Sequence, residues 1–140
     1  MAQVYVPSGR QIESAPEFYK RLDSAELPAA VYMPIRDTLS VLLEDDDETV
    51  APDVNSFDRL VFFLDRHREL LPPLIGVNRF GRFVAAWQDD ALRFTLEFTS
   101  AGDVSWMKTH GARVDTGSQD VSTVSIPGRF EQEQRIAAIG

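Results

Sequence analysis

The chain contains no cysteine. Disulfide frameworks, thiolate metal sites and cysteine nucleophiles are therefore excluded, and a reducing, cytoplasmic and bacterial setting is expected. Long hydrophobic runs are missing as well. None approaches the roughly 20 residues that a membrane-spanning helix needs, and the N-terminus lacks the basic-then-apolar order of a signal peptide. Histidine occurs twice, at His67 and His110, and lysine twice, at Lys20 and Lys108. The net charge of −8 argues against direct nucleic-acid binding, which depends on Lys and Arg neutralising phosphates.

What remains is ordinary for one domain. A chain of 140 residues buries roughly two-thirds of its unfolded surface, enough for one core without staples. Residues 1–140 are read as a single compact domain, with an acidic connector at about 44–54.

The clearest pattern runs from Phe83 to Trp106. Phe83, Ala85 and Trp87 share one parity; Leu92, Phe94, Leu96 and Phe98 share the other. Alternation with period two marks half-buried strands. For both sets to face one core the intervening turn must hold an even number of residues, and Asp89-Asp90 supplies it. That register sets Trp87 opposite Leu92, Ala85 opposite Phe94 and Phe83 opposite Leu96, with Arg82 meeting Glu97 on the other face. Val104 and Trp106 continue the even set, so the loop before them must be odd, of three or five residues. An antiparallel β-meander of three strands with one aromatic face is expected. Leu74–Val77, interrupted by Gly76, adds a strand beside Phe83.

A helix capped by Asn55 and stopped by Pro72-Pro73 supplies the cover, through Phe57, Leu60, Val61, Leu64 and Leu71. The fold class is therefore α+β, a meander packed on a central helix with further short helices towards both ends. Gln3–Val6 reads as a strand, and Ser14-Ala15-Pro16-Glu17 as a helix start with Phe18, Leu22 and Ala25 inward. Pro34–Leu43 reads as a helix through Ile35, Leu39 and Leu42, whereas Leu27–Met33 stays open between helix and extended chain. Thr109–Asp120 reads as a mobile polar loop, Ser122, Val124 and Ile126 as a strand, and Phe130–Ile139 as a terminal helix.

Three motifs invite chemistry. Glu44-Asp45-Asp46-Asp47-Glu48 is a block of consecutive carboxylates. As an EF-hand begun at Asp45 it puts Val50 where glycine is needed and Ser56 where the bidentate glutamate is needed, so no metal site is assigned. A solvated loop, or a surface for an arginine-rich partner, fits it instead. Ile75-Gly76-Val77-Asn78-Arg79-Phe80-Gly81-Arg82 is similar over eight residues to the opening strand and turn of glyceraldehyde-3-phosphate dehydrogenase. Arg79 and Val84 replace the first and third glycines of the phosphate fingerprint and a strand follows, so no cofactor is assigned and Gly81 is a hairpin residue. His110 beside Asp115 or Asp120 supplies the materials of a His–carboxylate pair, the basis of a rival reading as a small hydrolase or nuclease. His67 reads as half-buried beside Phe63 and Leu64. No nucleophile elbow or H-E-x-x-H accompanies either histidine, so no catalytic residue is assigned.

Phe62 falls outside the apolar stripe, among Asp58, Asp65, Arg66 and Glu69. Either the first 45 residues wrap the helix and bury it, which is the favoured reading, or it anchors a partner. The outward sheet face, with Val84, Ala86, Thr95, Ser105 and Met107 fringed by Arg82, Arg93 and Glu97, suits a dimer or partner contact.

Asn55-Ser56-Phe57, Pro73-Leu74-Ile75, Gly81, Trp87 and Leu96-Glu97-Phe98 with Gly102 before Trp106 resemble a diffuse group of small uncharacterised bacterial proteins over residues 55 to 107. In that group an acidic residue often stands before the tryptophan, where this chain has Ala86. The resemblance implies an accessory protein, of the sort encoded beside a partner that it binds. The expectation is a non-catalytic interaction module of antitoxin, immunity or anti-defence type. Its candidate contacts are Phe62, Asp45, Asp46, Asp47, Arg82 and Arg93, and its partner is another protein or a second copy.

Overall fold

The computed structural model describes the backbone of residues 7–44 and 52–131 and the side chains of 16–41 and 52–131. Three helices, α1 (Pro7–Ser24), α2 (Ala29–Glu44) and α3 (Val54–Arg66), precede five strands. These are β1 (Leu74–Val77), β2 (Phe83–Asp89), β3 (Leu92–Phe98), β4 (Asp103–His110) and β5 (Arg113–Asp120), paired antiparallel in chain order. The fold is α+β, with one aromatic sheet face turned to the helices.

The parity of the strands is as the alternation requires, but the first hairpin turn is not. Asp89 pairs with Leu92, Trp87 with Phe94 and Ala85 with Leu96, so the turn is Asp90-Ala91 rather than Asp89-Asp90. A shift of two residues leaves every side chain on its own face, so burial could not discriminate between the two turns. Asp90, at φ 57°, takes the left-handed conformation, which Asp adopts more readily than most residues. Arg82 and Glu97 are consequently diagonal neighbours, still joined at 3.3 Å. The next loop has five residues: Phe98 pairs with Val104 and Leu96 with Trp106. Gly76 does not interrupt β1, where it pairs with Val84.

Burial follows the pattern. Trp87 and Phe94 are both buried on the helix side, with ring centroids 6.5 Å apart. Phe63 reaches from α3 to both Phe98 and Trp87, at 5.8 and 6.3 Å. A second group, Phe18, Phe57 and Phe83, joins α1, α3 and β2 at 5.0–6.2 Å. Beyond the hydrophobic contact, aromatic pairs of this kind each contribute about 0.5–1.5 kcal/mol.

The cap of α3 is Asp53, whose carboxylate accepts from the Asn55 and Ser56 N–H groups, and not Asn55. The helix ends at Arg66 with His67 as C-cap, before the double proline, and Leu71 packs on the core from the following turn. That turn is tied down by Trp87, whose indole N–H donates to the Leu71 carbonyl at 2.7 Å. Ser56 is buried and locks the helix start to the sheet: its Oγ accepts from Phe83 N at 2.8 Å and donates to Phe98 O at 2.5 Å. Phe83 and Phe98 fall at the next position of the β2–β3 register, so the hydroxyl relays the bond that a ladder would make there directly.

Several end assignments change. α1 runs through Pro16 instead of starting there; a proline inside a helix removes one N–H donor, and the burial of Phe18 and Leu22 carries the helix across it. α2 begins at Ala29, so residues 29–33 are helical and Pro34 is interior. Thr109–Asp120 is not a loop: it holds the end of β4, a two-residue turn at Gly111-Ala112 and all of β5. Ser122, Val124 and Ile126 form no strand; Val124 is buried as irregular chain. Gly128–Phe130 is a short 3-10 turn and Glu131 bridges to Leu70. The expected strand Gln3–Val6 and the remainder of the expected terminal helix lie outside the described residues.

Candidate functional site

The helices pack on β1, β2 and β3 and leave the opposite side of the sheet uncovered among the described residues. Antiparallel register carries side chains of one parity across that open side in rows. One row is Leu74, Ala86, Thr95, Met107 and Thr116; the next is Gly76, Val84, Glu97, Ser105 and Ser118. The first row carries no charge, and Leu74 and Met107 are 73% and 46% exposed. Val114, in the same face of β5, is 57% exposed. Between β3, β4 and β5 the face hollows into a shallow cleft of about 510 Å³ over Thr95, Ser105, Met107, Thr116 and Ser118.

Charge enters this surface at Glu97, which lines the cleft in the second row, and at Arg82 and Arg93. Glu97 is held by Arg82 Nη1 at 3.3 Å and by Asn78 Nδ2, which donates at 2.8 Å. Arg93 is exposed beside Thr95. The sheet thus brings Arg82 and Arg93 onto the same open face. Phe62 belongs to the helical layer on the other side. It is 40% exposed, so α1 and α2 do not bury it, and the Arg66 guanidinium lies 5.2 Å from its ring centroid. Asp45, Asp46 and Asp47 lie outside the described residues.

The register treats the two carboxylates expected near His110 differently, leaving Asp115 a diagonal neighbour and separating Asp120. His110 ends β4 opposite Arg113, whereas Asp120 stands at the far end of β5, opposite Asp103. The Asp120 carboxylate accepts from Ser122 N and Oγ at 2.9 and 2.6 Å. The Ser122 hydroxyl foremost, then its N–H, hold that carboxyl below its usual range. Asp115 pairs with Arg113 at 3.3 Å. His67 is half-buried, as expected, stacked on Phe63 at 4.3 Å with Glu69 at 3.3 Å from Nδ1. Among the described residues no group of three or more His, Asp or Glu side chains could hold a metal ion, and no helix is long and apolar enough to cross a membrane.

A smaller cleft, of about 270 Å³, lies on the helix side between Phe94, Trp106, Lys108, Gln119 and the Ser125–Pro127 segment. Its floor includes the Trp106 indole, stacked on Phe94 at 6.1 Å, with Nε1 buried and lacking an acceptor among the described residues. The sequence pattern missed both this cleft and the outer one, because each depends on β5. The signal for that strand was present in Val114 and Thr116, two β-branched residues at alternate positions, but is diluted by Gly117 and flanking polar residues.

The chain matches no family model, no curated protein and no solved structure with which it was compared.

Proposed function

We propose that this protein is a non-catalytic interaction module, an accessory partner of the antitoxin, immunity or anti-defence kind, that docks another protein on the open face of its sheet. The observation that carries the reading is the uncharged row Leu74–Ala86–Thr95–Met107–Thr116, with large apolar side chains at two positions left to solvent. Exposed apolar surface rimmed by charge is the usual composition of a protein contact. Arg82 and Arg93 flank that row and Glu97 lies in the cleft beside it, and fixed charges of both signs there favour one orientation of the partner over others. The resemblance over residues 55 to 107 supports the same role. The net charge of −8 favours a basic partner through long-range attraction.

The test is retention of a partner by the tagged full chain in cells of its own source, with the retained protein then purified and titrated. Leu74→Arg with Met107→Arg should weaken binding by about 2 kcal/mol or more, roughly 30-fold, as loss of a central apolar contact does. Phe62→Ala should leave it within about twofold, the usual scale for a residue outside the contact. Binding that ignores the sheet variants and fails with Phe62→Ala would move the contact to the helical layer.

A further inference from the structure

β5 is an edge strand of eight residues, and none of its side chains is buried. Natural sheets blunt such edges with proline, lysine, bulges or short strands, because unpaired N–H and C=O groups invite another strand. The other edge follows that rule: β1 has four residues and comes directly after Pro72-Pro73. β5 does not. It contains neither proline nor lysine and pairs with β4 over its full length without a bulge. No helix packs on β4 or β5 among the described residues.

The phase of its hydrogen bonds is fixed. Val121 N donates to Gly102 O at 3.1 Å, so odd-numbered residues of this stretch bond inward to β4. By the alternation of antiparallel ladders, the N–H and C=O groups of Val114, Thr116 and Ser118 point to the free edge.

We infer that a second copy of this chain pairs along β5, antiparallel about a two-fold axis at Thr116, joining two five-stranded sheets into one. Only registers that pair residues of equal parity keep both open faces on the same side. Centring on Thr116 pairs it with itself, Val114 with Ser118, Asp115 with Gly117 and Arg113 with Gln119. All of β5 except its last residue is then engaged, and no two like charges stand opposite each other. The space over Gly117 is filled by the Trp106 indole, so the opposing Asp115 carboxylate lies beside the ring and not over the glycine. That carboxylate comes to lie at the edge of the indole that covers Gly117, the positive rim of the ring, whose N–H lacks an acceptor among the described residues. On the open face Thr116 meets Thr116, a favourable cross-strand pair. The dimer uses this chain alone and does not rest on the partner proposed above.

The test uses purified full-length protein. Sedimentation velocity across a concentration series should give a species of twice 15.7 kDa. Thr116→Pro, which removes an N–H aimed at the free edge and leaves the β4 ladder intact, should give a folded monomer. The chain has no cysteine, so Thr116→Cys introduces a single thiol. On the axis its Cα atoms stand about 5.5 Å apart, within disulfide reach, and oxidation should link the copies nearly completely. Val114→Cys should not link, being roughly 13 Å from its own copy at about 3.3 Å per residue. A monomer at every concentration overturns the inference. So does a dimer in which Cys at 116 links no faster than Cys at 114, even if Thr116→Pro fails to fold. A dimer that forms but retains no third protein supports this inference while sinking the proposed docking function; the reverse result does the opposite.

Discussion

The Trp106 indole lies against Gly117, its direct cross-strand partner, so closely that a Cβ built on the glycine would stand 2.6 Å from the ring. Glycine weakens a strand interior because it has no side chain to pack, and an aromatic laid across it from the neighbouring strand restores that contact.

Gly117→Ala should therefore destabilise the fold, against the usual gain from replacing a strand glycine. Overpacking typically costs about 1–3 kcal/mol, and here the indole must also swing away from Phe94. A lower denaturant midpoint with red-shifted tryptophan emission is the expected outcome. Equal or higher stability would show that the contact is loose.

Ser56→Ala should be among the most damaging conservative changes. It strands Phe83 N and Phe98 O, both now satisfied by the hydroxyl. Each buried group left unpaired costs about 1–3 kcal/mol, so a loss of roughly 3 kcal/mol in equilibrium unfolding is expected. A loss below about 1 kcal/mol would mean that the two strands close and bond directly.

Asp120 gives a pH signature at the exit of β5. Its carboxyl is held below the usual range by the Ser122 hydroxyl and N–H. A carboxylate with a depressed folded-state pKa contributes stability that is complete above its unfolded value, near 3.9, and is lost as pH falls through the folded value. Ser122→Ala removes the larger cause, so an NMR titration of the Asp120 carboxyl carbon should move up towards the ordinary value. The N–H bond to Ser122 makes the return partial. An unmoved midpoint would contradict the assignment.

Face and register were unequally legible in the sequence. Alternation from Phe83 to Trp106 specified which side chains enter the core, since a one-residue slip would put Trp87 and Phe94 on opposite faces of the sheet. It could not distinguish turns at Asp89-Asp90 and Asp90-Ala91, which differ by two residues and cost nothing in burial. β5 escaped because none of its side chains is buried, so burial imposes no apolar alternation on it. The open face could be named from parity, through Val84, Thr95 and Met107, but its extent needed Leu74, Thr116 and Val114. Arg82 and Arg93 were placed there by the same parity. Phe62 could not be settled from the helical wheel alone, because cover depends on where α1 and α2 run. The role of Ser56 was hidden for a related reason: its two partners lie 27 and 42 residues away.

The most direct measurement of the docking claim is site-specific photocrosslinking in cells of the protein's own source, with benzoylphenylalanine at position 107 or 62. The account predicts a discrete heterologous adduct from position 107, absent when Leu74→Arg is added, and none from position 62. An adduct confined to position 62, or none from position 107 while a partner is still retained, would contradict it.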